Sequence, residues 1–361
     1  MLQSNAFNNW SGDPTLTSGQ TGYDGSSDAW LLDATSVNQF IYRNDVTSFS
    51  GVTTISVYAK KGTADGIRLR FNQTTDSNLY INLAAGTIIG AFTPGIAYAI
   101  EDVSNGWYRI QMSFVASGSQ DVRIYPTNAT GTSIVGTIYI QDSQANQGLV
   151  AQPYQETTTT ALYGGITDNV PRLDYTDSSC PALLLEPQRT NILTQSEYIN
   201  TSVSAWSSYF DTTITNNDAV SPDGSNNATK ITNSGTSARL DAAVSSLAIG
   251  TYTYSFYAKG DVTSLTINVY QNIGGVTLSS TQVQTLINGS EWKRLDFTFT
   301  TTAISTLQII HSGPAPSESF YMFGAQLEAA TYATSYIPTY GTSVTRNADA
   351  CNGAGNTATF N

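Results

Sequence analysis

The sequence has little charge, few cysteines and a single histidine. Of its 361 residues, 12% are charged, and 15 basic against 27 acidic side chains leave a net charge of −12. The shortage of clustered lysine and arginine argues against nucleic-acid binding, because contact with phosphates needs a basic surface. Two cysteines, Cys180 and Cys351, are too few for a disulfide scaffold, and whether they pair stays open. With His311 alone, a zinc site of several histidine or cysteine ligands is not expected.

Long apolar segments are also missing. The sequence has no run of about 18 apolar residues, so we expect no membrane span. Residues 1–5 have neither a basic segment nor an apolar core, and we therefore expect no secretory signal. What the sequence does contain is threonine, serine, asparagine, tyrosine and glycine. Threonine and tyrosine favour strands, whereas glycine and asparagine favour turns, so the composition predicts β-structure.

An internal repeat organises the chain. Short motifs of the first half return in the second half in the same order. The matched pairs are Gln3-Ser4 with Gln195-Ser196, Trp10 with Trp206, Asp24-Gly25-Ser26 with Asp223-Gly224-Ser225, Ser56–Lys60 with Ser255–Lys259, Trp107-Tyr108-Arg109 with Trp292-Lys293-Arg294, and Tyr139, Gln144 and Tyr154 with Tyr321, Gln326 and Tyr336. This order predicts two copies of one domain, residues 1–156 and 191–346, with a linker (157–190) between them and an extended tail (347–361).

Apolar and polar residues alternate with a period of two in both copies, which predicts strands with one buried face. The apolar positions include Ile55, Val57 and Ala59 in the first copy and Leu295, Phe297 and Phe299 in the second. Many short strands in domains of this size favour an antiparallel β-sandwich or jelly roll. The predicted fold is therefore all-β, with two tandem sandwiches joined by an ordered, extended linker.

The linker contains an apolar segment, Leu183 to Leu185. Three adjacent leucines are too apolar for a free linker in water. We expect them to form a strand or hairpin that packs against a domain edge or a neighbouring subunit.

Aromatic residues are the best candidates for ligand contact, because sandwich modules often stack a flat ring on a sugar. Rings present in both copies are interpreted as framework, with Trp107 and Trp292 expected to anchor the cores: Trp10/Trp206, Tyr58/Tyr257 and Trp107/Trp292. Rings found only in the first copy are free to contact a ligand, with Trp30 and Tyr23 as the first choices: Trp30, Tyr23, Tyr80 and Tyr98. The alternative for each is a role at an edge or interface.

Carboxylates are the remaining candidates for catalysis or metal binding. A glycosidase needs two of them across a groove, and the sequence places no such pair among Glu101, Asp102, Glu291 and Asp296. Asp24 and Asp223 could contribute to a structural calcium site, but calcium needs about six to eight oxygen ligands. Turn formation accounts for both aspartates, so we predict no cofactor, no catalytic residues and no enzymatic activity. His311 is expected to be a surface or half-buried strand residue.

An ordered set of motifs in the second half resembles a module of bacteriophage virion proteins. The set comprises Leu184–Leu193, Gln195-Ser196-Glu197, Trp206, Asp223-Gly224, Ser255–Lys259, Trp292-Lys293-Arg294, Gly324–Glu328 and Thr334–Thr339. It covers most of residues 165–350, and the first copy departs from it at Gln141–Gln144. The family consists of jelly-roll domains, similar to carbohydrate-binding modules, in phage fibre, spike and decoration proteins.

This resemblance implies a structural or adhesive subunit on the surface of a phage particle. Its expected partners are other virion proteins, host-surface glycan and further copies of itself, most commonly as a homotrimer. The alternative is a pair of carbohydrate-binding modules from a secreted polysaccharide-degrading enzyme. A hydrolase of host-surface polysaccharide is a third hypothesis, which lacks the paired acids it requires.

Overall fold

The computed structural model describes residues 3–44, 51–73, 76–92, 95–116, 121–159, 172–174, 182–203, 205–272, 275–287 and 289–349. Apart from one 3-10 helix, Phe7–Asn9, the regular structure in these ranges consists of strands, which confirms the all-β prediction. No helix in them is long and apolar enough to cross a membrane. The chain divides into two compact units, Met1–Leu162 with Asn216–Asn227, and Tyr163–Thr215 with Ala228–Asn361.

The first copy contains twelve strands within the described ranges. They are β1 (Ser11–Gly12), β2 (Thr15–Gln20), β3 (Ala29–Ala34), β4 (Ile41–Arg43), β5 (Gly51–Lys61), β6 (Gly66–Asn72), β7 (Ser77–Asn82), β8 (Thr87–Phe92), β9 (Gly95–Asp102), β10 (Trp107–Ala116), β11 (Asp121–Thr127) and β12 (Gly136–Gln147). Sheet I has the antiparallel order β1-β4-β11-β6-β7-β8, and sheet II has the order β2-β3-β12-β5-β10-β9.

The core of the first copy lies between these two sheets. Leu69 and Ile124 of sheet I and Val57 and Ile110 of sheet II are buried in one apolar cluster. Each of these residues is flanked by polar or outward-facing neighbours, as the period-two alternation requires. A β-sandwich follows, because each sheet buries its apolar face against the other.

Two short strands occur in the linker, β13 (Arg172–Asp174) and β14 (Ala182–Leu184), and they pair antiparallel. Leu183 is 50% exposed and Leu185 is 56% exposed. The expectation that these leucines pack on a domain edge is therefore wrong for Leu183 and Leu185. Packing against a neighbouring subunit stays a prediction.

The second copy contains ten described strands. They are β15 (Arg189–Asn191), β16 (Trp206–Ala219), β17 (Ala228–Leu247), β18 (Thr251–Lys259), β19 (Thr266–Gln271), β20 (Val276–Gln282), β21 (Lys293–Thr300), β22 (Ser305–Ser312), β23 (Ser319–Glu328) and β24 (Val344–Arg346). The order is β20-β19-β22-β17-β23-β18-β21, with β16 beside β17, while β15 pairs with β24. The long strand β17 joins the two layers, because Thr229–Thr232 pair with β23 and Arg239–Leu247 pair with β22.

The strands that the two copies share follow the same order. The order β3-β12-β5-β10 corresponds to the first half of β17 followed by β23-β18-β21, and β4-β11-β6-β7 corresponds to its second half followed by β22-β19-β20. The prediction of equal strand order is thus confirmed for these shared strands. The copies differ in that β3 and β4 are separate strands whose counterparts are continuous, and in that β8 and β9 have no counterpart among the described strands of the second copy.

Side-chain hydrogen bonds repeat as well. The hydroxyl oxygens of Ser4 and Tyr154 lie 2.7 Å apart, and those of Ser196 and Tyr336 lie 2.6 Å apart. In both copies the indole N–H of the first tryptophan donates to the backbone carbonyl of the glutamine in the matched Gln-Ser motif: Trp10 to Gln3 (3.1 Å) and Trp206 to Gln195 (2.8 Å). The motifs shared by the two halves therefore form equivalent hydrogen bonds between the first and last segments of each sandwich.

The motifs that carry the phage resemblance form a buried hydrogen-bond network in the second copy. The Asn191 amide donates to the carbonyls of Ala325 (3.1 Å) and Ile337 (2.9 Å). Gln326 donates to Glu328 (2.7 Å) and accepts from the backbone N–H of Ile337 (2.6 Å). Asn191, Gln326 and Glu328 are each fully buried. The resemblance thus rests in part on residues whose hydrogen bonds join the first and last segments of the second sandwich.

Two sequence-based expectations about single residues are wrong. His311 is fully buried, because its ring lies between the Tyr254 hydroxyl (2.9 Å from Nε2) and the Leu240 carbonyl (3.0 Å from Nδ1). Burial lowers the pKa of His311 to about 4, so the ring is neutral at pH 7. Trp292 does not anchor a core: it is half-buried, with the Lys259 ammonium 4.8 Å from its ring centroid.

Candidate functional site

Arginine and tyrosine side chains share the outward side of sheet I. Along β6, Leu69 and Phe71 point into the core, so the alternate residues Arg68 and Arg70 point away from it. Leu79 of β7 is also in the core, which places Tyr80 on the outward side. The outward side of sheet II also places an arginine over a tyrosine, with the Arg109 guanidinium carbon 5.5 Å from the Tyr58 ring centroid.

The strand register assembles these side chains into two rows. One row is Tyr125, Arg68 and Tyr80 across β11, β6 and β7. The other is Tyr42, Arg123, Arg70 and Asn78 across β4, β11, β6 and β7. We call these residues, with Asp121, the arginine–tyrosine face.

Arg68 lies at the centre of the face. Its guanidinium carbon is 4.8 Å from the ring centroid of Tyr125 and 5.4 Å from that of Tyr80. Its Nε and Nη2 atoms both donate to the Asn78 amide oxygen, at 2.9 and 2.7 Å. Cation–π contacts and this two-point hydrogen bond together hold the guanidinium in one orientation.

The other two arginines are paired with carboxylates. Arg123 donates to both carboxylate oxygens of Asp121, at 2.6 and 3.0 Å, and this hydrogen bonding raises the pKa of Arg123 above its usual value. Arg70 pairs with Asp76 at 2.5 Å. The three arginines of the face therefore have two carboxylate partners, Asp121 on the face and Asp76 beside it, within a chain whose net charge is −12.

Half-buried rings beside fixed polar groups can bind a sugar. A pyranose presents an apolar face that stacks on an aromatic ring and hydroxyls that bond to amide, carboxylate and guanidinium groups. Tyr42, Arg68 and Tyr80 are each partly exposed, whereas Tyr125 is buried beneath Arg68. Tyr80 and Tyr42 are thus the rings that a ligand can reach.

The four candidate ligand residues lie in different places. Tyr80 lies on the arginine–tyrosine face. Tyr98 is on β9 opposite Met112, and its ring packs against the core from the inner side. Trp30 also packs against the core, and its indole N–H donates to the Asn5 carbonyl at 3.0 Å. Their contacts favour a packing role for Trp30 and Tyr98.

Tyr23 lies on the outward side of sheet II. Its ring stacks on Tyr58, with centroids 3.8 Å apart and an interplanar angle of 4°, and its hydroxyl donates to Asp142 at 3.0 Å. Trp107 is buried in the same cluster. One face of the Tyr23 ring is therefore covered, and sheet II does not bring Tyr23 together with Tyr80.

The corresponding outward side in the second copy is less basic. Asn268 and Tyr270 of β19 face outward, since Ile267 and Val269 between and beside them are in the core. The arginine on that side, Arg239, is bound through two hydrogen bonds to Asp241. Tyr270 therefore occupies a comparable sheet face without an unpaired arginine beside it.

The Asp-Gly turns are accounted for by local hydrogen bonds. The backbone N–H of Ser26 donates to Asp24 at 3.0 Å, and that of Ser225 donates to Asp223 at 2.7 Å. Gly25 and Gly224 both adopt positive φ, 83° and 85°. Among the described residues, no group of three or more histidine, cysteine, aspartate or glutamate side chains could hold a metal ion.

Asp142 is a buried carboxylate in an unusual conformation. It has φ of 50°, where its counterpart in the second copy is Gly324 with φ of 64°. Its side chain is buried, 5% of the residue being exposed. Burial, with the nearby charges of Asp28 and Asp24, raises the pKa of Asp142 to about 6. The charged form is therefore disfavoured in the folded protein.

We expect Asp142→Asn to stabilise the first copy at neutral pH. A carboxyl whose pKa is higher in the folded than in the unfolded state contributes stability below the unfolded pKa, and this contribution is lost as pH rises through about 6. After allowance for solvent screening, the expected gain is about 1–2 kcal/mol at pH 7 and close to none near pH 4. Asparagine keeps an acceptor for Tyr23 and tolerates positive φ.

Thermal unfolding of the full chain at about pH 4 and about pH 7.5 measures this effect. Asp211→Asn is the matched control, because hydrogen bonds from the backbone N–H groups of Thr236 and Ser237 lower the pKa of Asp211 and its loss should have the opposite sign. A gain from Asp142→Asn of equal size at both pH values would contradict the prediction.

Sequence reasoning missed most of this face. Of the four ligand residues predicted from the sequence, Tyr80 lies on this face, and the arginines escape a comparison of the copies because they belong to no repeated motif. The alternation Ile67-Arg68-Leu69-Arg70-Phe71 is the signal that would have found them, since it places two cations on the outward side of one strand.

No protein-family model and no curated protein matches the chain. Solved structures with similar folds include a CBM4 carbohydrate-binding module, with 17% identity, 39% of this chain and 97% of that chain covered, and a TM-score of 0.30. The tandem CBM22-1–CBM22-2 of Paenibacillus barcinonensis Xyn10C has 13% identity, covers 90% of this chain and 94% of that chain, and has a TM-score of 0.30.

Tailspike protein 4 of bacteriophage CBA120 has 11% identity, with 38% of this chain and 21% of that chain covered, and a TM-score of 0.31. At these identities and TM-scores, the similarities say nothing about the ligand of this chain.

Proposed function

We propose that this protein binds glycan through the arginine–tyrosine face of its first copy. The observation that carries the proposal is the row Tyr125, Arg68 and Tyr80, in which a fixed guanidinium lies between two rings on an outward sheet face. Tyr80 supplies a reachable ring, and the partly exposed Arg68 and Arg70 supply polar groups around it.

Tyr80→Ala tests this site. If a sugar stacks on Tyr80, its truncation should weaken binding about 10- to 100-fold, the effect of losing an aromatic anchor. Binding of the full chain is measured on an array of bacterial capsule and lipopolysaccharide glycans, followed by calorimetry of those that bind.

Tyr270→Ala is the matched control, because it removes a tyrosine from the equivalent face of the second copy. We expect it to leave the affinity unchanged. An array on which no glycan binds the wild type, or a ligand whose affinity is the same for Tyr80→Ala and wild type, would refute the proposed site.

The biological setting that we propose is the surface of a bacteriophage particle, where the chain acts as a non-enzymatic fibre, spike or decoration subunit. Support comes from the motif set between Leu184 and Thr339. A mass-spectrometric inventory of purified particles tests the assignment. Absence of the chain from the particles, with a polysaccharide-degrading enzyme encoded in the same gene, would support instead the pair of carbohydrate-binding modules.

We also propose that the working form is a homo-oligomer, a trimer like those of fibre-like virion proteins. The exposed leucines Leu183 and Leu185 support a subunit contact, because two large apolar side chains in one short hairpin gain free energy when covered. Light scattering at micromolar concentration distinguishes trimer from monomer.

An assay for new reducing ends on bound glycans tests the separate proposal that the chain does not hydrolyse them.

A further inference from the structure

The chemistry of the arginine–tyrosine face indicates which glycans it selects, and this step rests on the proposed function. Arg70 and Arg123 are neutralised by Asp76 and Asp121. Arg68 forms no ion pair with any carboxylate of the described residues, since its hydrogen-bond partner is the uncharged Asn78 amide. The face therefore has one uncompensated positive charge at its centre.

The geometry of Arg68 leaves donors for a ligand. A guanidinium has five N–H groups, and Asn78 takes the Nε hydrogen and one hydrogen of Nη2. The two hydrogens of Nη1 and the second of Nη2 are left, and one hydrogen from each of these nitrogens forms the edge that binds a carboxylate through two parallel bonds. Because Tyr80 and Tyr125 flank the guanidinium, this edge is already oriented before a ligand arrives.

We infer that the face selects acidic glycans, in which a sugar carboxylate, as in a uronic or sialic acid, pairs with Arg68 while an adjoining ring stacks on Tyr80. The sugar carboxylate would neutralise Arg68, the one arginine of the face that neither Asp76 nor Asp121 pairs with. A chain with a net charge of −12 would otherwise repel an anionic polymer, so the positive centre directs such a polymer to this face.

The test compares acidic polysaccharides with their carboxyl-reduced forms, which keep the same sugars and linkages but lose the charge. The probes are polygalacturonate, alginate, hyaluronan and polysialate, each in both forms, with the full-length protein. We expect at least one acidic form to bind, with affinity falling by about tenfold or more on carboxyl reduction and falling further as salt is raised.

Arg68→Gln should reduce binding to the acidic form by a similar factor and leave any binding to the reduced form unchanged, whereas Arg68→Lys should retain part of it because the charge remains without the two-point geometry. Lys259→Gln is the matched control, since it removes a cation over aromatic rings in the second copy. If Arg68→Gln fails to fold, the comparison of the two forms on the wild type decides.

The outcomes separate the two proposals. Equal affinity for acidic and reduced forms, with both weakened by Tyr80→Ala, overturns the selection of acidic glycans but leaves the proposed function intact. Binding of neither form, nor of any glycan on the array, overturns both.

Discussion

Replacing Trp107 by alanine is expected to destabilise the first copy by about 3–5 kcal/mol, the cost of truncating a large buried aromatic side chain. Trp107 is 1% exposed and packs with Tyr58 and Ala29, against Tyr23 and Tyr139. A domain whose total stability lies within about 5–15 kcal/mol loses much of its margin by this change. Urea unfolding of the full chain, followed by hydrogen exchange of amides in β5 and β10, measures the loss.

Trp292→Ala is the control for this prediction. It removes the tryptophan at the matching motif position, but Trp292 is half-buried, so the loss should be clearly smaller. Equal losses of unfolding free energy for the two variants would show that burial does not determine how much each tryptophan contributes to stability.

Replacing Asn191 by alanine is expected to destabilise the second copy by about 3–5 kcal/mol, because several buried polar groups lose their partner at once. The Asn191 side chain donates to two carbonyls and accepts from the backbone N–H groups of Leu193 (3.2 Å) and Leu327 (3.0 Å). Asn191 is fully buried, so its partners are shielded from bulk solvent. Calorimetric unfolding of the full chain measures the change.

Asn268→Ala provides the comparison within the same copy. Asn268 is half-buried and makes one long hydrogen bond, 3.4 Å to the Ser312 hydroxyl, so its loss should cost well under 1 kcal/mol by the usual scale for exposed polar contacts. A small effect of Asn191→Ala, similar to that of Asn268→Ala, would mean that the buried hydrogen bonds of Asn191 contribute little to stability.

The sequence predicts the strands and the duplication well, because both depend on local patterns. Period-two alternation reports which face of a strand is buried, and matched motifs report equivalent positions without any knowledge of topology. Burial of a single residue depends instead on what lies above it. Trp107 and Trp292 share a motif, yet Tyr23 helps to cover Trp107, whereas Trp292 is covered only in part.

The candidate site was harder to predict for a related reason. Comparison of the copies selected Trp30 and Tyr23 because they are unique to the first copy, but unique residues also pack and form hydrogen bonds. The low overall content of basic residues gives no indication that several arginines lie together. A composition averages over the chain, whereas strand register gathers Arg68, Arg70 and Arg123 on one face.

The closing contacts of each sandwich bear on how such a domain is copied in a genome. In the first copy Ser4 donates its N–H to the Thr157 carbonyl at 3.0 Å, and in the second Ser196 donates to Thr339 at 3.2 Å. The start and the end of each domain thus lie side by side. Neighbouring ends allow a domain to be inserted into a loop, duplicated in a gene or circularly permuted without disturbing its interior. The pair of sandwiches in this chain is what one such duplication would leave.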